Sequence, residues 1–186
     1  MSSVYFCSDF HLGHNGVSYK FRKIFQSDSE HDEYFLDMWS STITKRDIVY
    51  CLGDMAFTKE KLNMLSGLYG NKKLIMGNHD LIHGITINDL VQAYDSVEGI
   101  TKYKGKWLSH APMHPSELYG KFNIHGHVHF DTIMDSNYIN VCPEASENFN
   151  KVFYSLEDIN ALTTDKERVI MNFKPAKIKD IDCGFD

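Results

Sequence analysis

At 186 residues, 42% apolar and 24% charged, the chain is sized for one domain with its own core, and it holds no apolar run of membrane-spanning length. A net charge of −6 argues against a broad surface for gripping duplex nucleic acid. The opening MSSVYFCSDF lacks the basic start and apolar stretch of a secretory signal, and Cys7, Cys51, Cys142 and Cys183 are scattered without CxxC spacing, so reduced thiols in a cytoplasmic protein are expected.

Taken in chain order, Val4 to Cys7 reads as a first strand. Ser29 with Asp32 three residues on predicts a helix start. Tyr34, Phe35, Met38 and Trp39 then form its apolar stripe, and His31 falls on its polar, surface side. Ile48 to Leu52 is a second strand, and Thr58 caps a helix that buries Leu62 and Leu65. Leu74 to Met76 follows as a strand, then a helix opened by the pair Thr86 and Asp89. From Val97 to Ser109 the order changes, and Lys104-Gly105 marks a hairpin whose Lys102, Lys104 and Lys106 face solvent. Strands at Trp107 to Leu108, Phe122 to Ile124 and Tyr138 to Cys142 precede a helix capped by Ser155 and Asp158. The core is expected over about 1–163. In the tail, 164–186, Val169 to Phe173 reads as one more strand beside a loosely held end. Strand–helix alternation followed by consecutive strands implies a mixed sheet with helices packed outside.

Five short polar clusters each follow one of these strands. They are Asp9 and His11, Gly53-Asp54, Gly77-Asn78-His79-Asp80, His110, and Gly126-His127-Val128-His129. In α/β sheets, residues just past strand ends converge on one crevice. Asp9, His11, Asp54, Asn78, His110, His127 and His129 make seven candidate metal ligands. That is too many for one tetrahedral zinc and apt for two ions sharing a bridging carboxylate. Imidazole and carboxylate without thiolate suit Mn, Fe, Ni, Co or Zn, with Mn taken first. If the backbone is extended, Asp9 and His11 share a side, as do His127 and His129, with His125 on that side too or at the sheet edge. A lone GD or DxH is more often a plain turn. The weight lies in five pieces occurring in order, each after a strand.

The series DFH, GD, GNHD, SH and GHVH resembles the signature of the calcineurin-like metallophosphoesterase superfamily over about residues 4–142. DFHLGHN, LGD, LSHAP, IHGHVH, and INVCPE followed by SLEDI resemble a compact bacterial and bacteriophage branch of it. The resemblance implies an α/β fold of two stacked mixed sheets flanked by helices. It implies one ion on Asp9, His11, Asp54 and His129, and a second on Asp54, Asn78, His110 and His127. His79 would stand beside the substrate phosphate as an acid, with Asp80 orienting its ring. Asn78 and His14 would also touch substrate. The departures are Phe10 and Cys142-Pro143, neither expected to reach a ligand.

The expected activity is hydrolysis of nucleotide-like or other small phosphodiesters by two divalent ions. The expected partner is a small phosphoester, with neither duplex nucleic acid nor membrane. A phosphomonoesterase is the alternative, drawing extra contacts from His14, His83 or His114. A non-catalytic binding protein of the same fold, or a purely structural metal site, fits a full set of ligands less well.

Overall fold

The computed structural model describes residues 2–131 and 133–164. The expected strand at Val169 to Phe173 and the tail lie outside these residues, as does Cys183.

A five-stranded sheet is built from β1 (Val4–Cys7), β2 (Ile48–Cys51), β3 (Asn71–Ile75), β4 (Ser96–Glu98) and β9 (Tyr154–Ser155), in the order β4-β3-β2-β1-β9. The first four run parallel, and β9 closes the edge antiparallel to β1. A second sheet of β5 (Ile100–Tyr103), β6 (Lys106–Ser109), β7 (Asn123–His125) and β8 (Tyr138–Asn140) runs β5-β6-β7-β8. The β5–β6 hairpin turns at Lys104 and Gly105, both with positive φ, as a two-residue turn requires. Helices α1 (Val17–Lys20), α2 (Asp28–Thr42), α3 (Lys59–Ser66), α4 (Ile87–Ala93) and α5 (Leu156–Thr164), with short 3-10 turns at Pro115–Glu117, Pro143–Ala145 and Glu147–Phe149, complete the described elements.

Period-two alternation in the parallel strands explains the layering. Phe6, Tyr50, Leu52 and Ile75 point toward Leu108, Ile124 and Ile139 of the second sheet. Their neighbours Cys7, Val49, Cys51 and Leu74 face the helix layer, where Phe35, Trp39, Leu62, Leu65 and Leu90 are buried. Trp39 is fully buried, and truncating a core aromatic of this kind costs about 3–5 kcal/mol. The two stacked mixed sheets flanked by helices are as expected.

The caps at Thr58, Thr86 and Ser155 form as the sequence suggests. The first long helix differs. It starts at Asp28 because Ser27, not Ser29, accepts the Glu30 N–H. Asp32 is drawn away from any capping role, accepting the Gly13 N–H and pairing with Lys61 at 3.0 Å. His31, expected at the surface, is fully buried between the Arg22 guanidinium and the Asp32 carboxylate. β3 begins at Asn71, three residues before the apolar run. Parallel pairing with β2 carries the polar Asn71, Lys72 and Lys73 into the sheet.

Candidate metal centre

The C-terminal ends of β1, β2 and β3 in one sheet, and of β6, β7 and β8 in the other, face one crevice. The ligand pairs do not meet there through extended backbone. Asp9, His11, Asp54, His127 and His129 all hold left-handed conformations, with φ of 54°, 54°, 55°, 72° and 48°. For residues with a Cβ such conformations cost on the order of 1–3 kcal/mol each and need surroundings that enforce them. A ladder between the first two loops supplies that. The Asp9 N–H donates to Gly53 O at 3.0 Å, His11 to Asp54 O at 3.1 Å and Leu12 to Met55 O at 3.0 Å. The carboxylates are held in turn, since Asp9 Oδ2 accepts the His127 N–H at 2.9 Å and Asp54 Oδ1 accepts the His79 N–H at 2.8 Å. Such close approach requires glycine at two points. A Cβ at Gly77 would run into the Asp54 carboxylate, and one at Gly126 into that of Asp9.

All seven candidate ligands converge. His11 Nε2 stands 3.6 Å from Asp9 Oδ1 and 3.9 Å from Asp54 Oδ2. His110 Nε2 lies 3.4 Å from Asp54 Oδ2 and 2.9 Å from Asn78 Oδ1. His129 Nε2 lies 3.7 Å from Asp9 Oδ1, and His127 Nδ1 is 3.2 Å from His110 Nε2. One potential ligand atom each from Asp9, His11 and His129 falls within a 4.8 Å cluster, as does one each from Asp9, Asp54 and His110.

Cations fit this set. Asp9 Oδ1 and His11 Nε2 are buried and without a hydrogen-bond partner, an arrangement that costs roughly 1–3 kcal/mol per group unless something is bound between them. Burial by itself would raise the Asp9 and Asp54 pKa values. Contacts with the neighbouring histidines outweigh it, and both carboxyls lie below their ordinary range. Burial draws His11 down to about 4, against Asp9. His110 is pushed up to about 9, against its burial, by the hydrogen bond to Asp54. The centre therefore gathers two ionised carboxylates that demand positive charge beside them.

His79 is half-buried, its ring centroid 5.2 Å from that of Phe57 and 6.4 Å from that of His11. No hydrogen bond joins its ring to the Asp80 carboxylate. The Asp80 carboxylate is turned inward and accepts the N–H groups of Gly77 at 2.7 Å, Asp54 at 3.2 Å and Met55 at 3.3 Å, clamping together the loops that carry Asp54 and Asn78. Burial raises Asp80 to about 6, helped by Asp54 and opposed by those donors. His14 also packs on Phe57, edge-on at 4.7 Å between centroids, with its buried Nδ1 unpartnered. His125 makes no ligand contact. Its Nδ1 lies 2.9 Å from Gly126 O and its ring faces Tyr138. His83 is exposed, and His114 accepts the Ser116 N–H at the start of a short 3-10 turn.

Three functional neighbours went unread in the sequence. Cys142 does touch a ligand, its Sγ lying 3.2 Å from Asp9 Oδ2. Glu144, two residues past it, accepts from His129 Nδ1 at 3.0 Å and from Arg22 Nε at 2.8 Å. Arg22 also donates to the carbonyls of Asp9 and Phe10, so the first motif hangs on its guanidinium. Glu144 sits in the INVCPE fragment, past the end of a strand like the ligands, and that position was the available signal. Arg22 carried none.

Stacked mixed sheets whose strand ends pool carboxylates and imidazoles around unpartnered donor atoms make a candidate metal centre of the kind that metal-dependent hydrolases use. The family model for calcineurin-like phosphoesterases matches residues 2–180, and the chain belongs to that family, whose chemistry is metal-dependent phosphoester hydrolysis. The gene 66 proteins of Mycobacterium phages L5 and D29 are each 36% identical, over 50% and 45% of this chain. Those matches span about half the phage proteins' own lengths, 48% and 43%. An uncharacterized protein of Methanocaldococcus jannaschii is 24% identical over 96% of this chain and 95% of its own. The crystal structure of a protein of unknown function from Aquifex aeolicus shares the fold, with a TM-score of 0.67, 24% identity, and coverage of 87% of this chain and 100% of that one. Among the described residues no helix is long and apolar enough to cross a membrane.

Proposed function

We propose that the protein hydrolyses small phosphodiesters of nucleotide size, using two divalent ions held side by side, with manganese the first metal to try. The observation that carries this reading is the placement of Asp54, whose Oδ2 stands 3.9 Å from His11 and 3.4 Å from His110. One carboxylate between two imidazoles suits a shared ligand, with Asp9, His11 and His129 on one side and Asn78, His110 and His127 on the other. When bound, the ions make a water nucleophile available near neutral pH and neutralise charge on the phosphoryl oxygens. The chain's own contribution is to fix five of those ligands, Asp9, His11, Asp54, His127 and His129, in left-handed backbone and to hold His79, with its ring unclaimed by Asp80, as donor to the leaving oxygen.

A phosphomonoesterase would need further cationic contacts on the phosphate. His114 is occupied by its own cap and His83 lies at the surface, which leaves His14. The diester reading asks for fewer. Cytoplasmic residence is part of the proposal, supported by the free, buried thiols of Cys7, Cys51 and Cys142. So is a substrate that is neither duplex nucleic acid nor membrane. The test is turnover by the Mn-loaded protein of a chromogenic diester, its monoester, cyclic and linear nucleotides, and duplex DNA at matched salt. Diester cleavage should lead. Efficient monoester turnover with negligible diester cleavage, or preferred attack on duplex ends, would overturn it.

A further inference from the structure

Beside the half of the centre built by Asn78, His110 and His127 opens a cleft of about 500 Å³, within the range that holds small ligands. Those three side chains form its inner edge. Away from them the wall becomes apolar, made by Met76, Ile100, Ala111, Pro112 and Met113. Among the described residues lining it there is no Lys, Arg, Asp or Glu.

The wall is pinned. Ser109 Oγ donates to Ala111 O at 2.7 Å, the Met113 N–H donates to Asn123 Oδ1 at 2.9 Å, and Tyr138 Oη donates to Met113 O at 2.6 Å. His110 Nδ1 lies 2.7 Å from Leu52 O, so the loop from 109 to 113 is tied to both sheets. Such anchoring leaves the cleft formed before any ligand arrives.

We infer that this cleft receives one ester arm of the substrate, and that the arm is an uncharged aromatic ring such as a nucleobase. This rests on the phosphoesterase reading above and extends it to the part of the substrate away from phosphorus. A phosphoryl group near Asn78, His110 and His127 projects a substituent into the apolar wall. A charged substituent would shed water there with no partner to replace it, a cost of several kcal/mol in general. A flat ring gains instead, because its burial removes apolar area from water and two methionine thioethers, at 76 and 113, can pack on it.

The experiment is calorimetric binding of phenylphosphonate, methylphosphonate and 4-carboxyphenylphosphonate to the Mn-loaded full chain, beside turnover of a chromogenic diester. Phenylphosphonate should bind at least about tenfold more tightly than methylphosphonate, as expected for burying a ring. The distal carboxylate should erase that advantage. Met113→Gln should bring phenylphosphonate down toward methylphosphonate while methylphosphonate affinity and metal content hold. Ile100→Asn, at the exposed rim, should do the same more weakly and covers the case in which Met113→Gln misfolds. Equal affinity for phenyl and methyl, or a carboxyphenyl compound that binds as well as phenyl, overturns the inference. If diesters turn over without phenyl preference, the cleft assignment falls and the phosphoesterase reading stands. If phenyl is preferred and no phosphoester turns over, the reverse holds, and if no phosphonate binds, both fall.

Discussion

Arg22 Nε donates to Glu144 Oε1 at 2.8 Å, and both side chains are 1% exposed. Through this pair the two ends of the metal centre are braced against each other. The guanidinium holds the carbonyls of Asp9 and Phe10 at one end, and the carboxylate takes the His129 Nδ1 proton at the other. Glu144 is ionised, held down to about 2 because Arg22 and His129 outweigh the burial that would raise it. An ionised acceptor at Nδ1 fixes the tautomer that turns the Nε2 lone pair toward Asp9.

Glu144→Gln should therefore weaken the metal site that uses Asp9 and His129 and spare the one that uses His110 and His127. Loss of an orienting partner of a ligand costs about 10–100-fold in metal affinity. Calorimetric titration resolves two classes of site. Equal weakening of both, or of neither, would remove Glu144 from this role.

Removing the arginine acts on the fold. Arg22→Met would leave the buried Glu144 carboxylate without its guanidinium and held by His129 alone, and breaking one side of a buried pair costs up to about 3–5 kcal/mol. Urea denaturation of the metal-free protein reads this directly. Arg22→Met with Glu144→Leu should recover much of the loss, since an apolar pair leaves no charge stranded.

The same pair sets an acid dependence. A carboxyl whose folded pKa lies below its ordinary value of 4.5 stabilises the folded state fully above that value. The contribution is lost as pH falls from there toward about 2. In metal-free protein, the stability gap between wild type and Glu144→Gln should widen as pH falls from neutral and His129, raised by Glu144, takes its proton, and should narrow below about 4.5 as Glu144 itself protonates. A gap that stays constant down to pH 2 would show that the charge contributes nothing.

The layers and the meeting of the seven candidate ligands were legible because both follow from strand periodicity. Apolar runs at Val4 and Ile48 placed the ends of those strands to within one residue, and polar residues just past them had to meet. Local geometry was not legible in that way. Asp9 and His11 were expected to share a side through extended backbone, but the cross-loop ladder to Gly53 and Asp54 puts both in left-handed conformations. A one-dimensional pattern carries no signal of a tertiary hydrogen bond. Arg22, His31 and Asp32 were hidden for a related reason. Charged side chains read as surface, and what buries these is a chain of partners: Glu144, more than a hundred residues away, on Arg22, Arg22 on His31, and Lys61 on Asp32.

Metal titration tests the shared carboxylate. Asp54→Asn should lower affinity at both sites together, and His129→Ala should empty mainly one, giving about two ions bound in wild type and about one in the histidine variant. A wild type that saturates with a single tightly held ion, unchanged by added Mn, would contradict the two-ion assignment.

The sharpest contrast lies between the neighbours His79 and Asp80. The His79 ring contacts Phe57 and is free of the Asp80 carboxylate, while its backbone N–H, which an alanine keeps, donates to Asp54 at 2.8 Å. His79→Ala should leave metal content intact and slow turnover by roughly 10²–10⁴, the usual contribution of a positioned acid. Asp80 is committed to three backbone donors, two of them on the Asp54 loop. Asp80→Asn places an amide N–H₂ against those N–H groups, so at least one buried donor loses its acceptor at a cost of about 1–3 kcal/mol. That variant should bind metal more weakly and melt earlier, and saturating Mn should restore much of its rate. Saturating Mn should not rescue His79→Ala. If instead Asp80→Asn keeps full metal affinity and loses only rate, Asp80 acts on the His79 ring during turnover, and the clamp between the two loops is incidental.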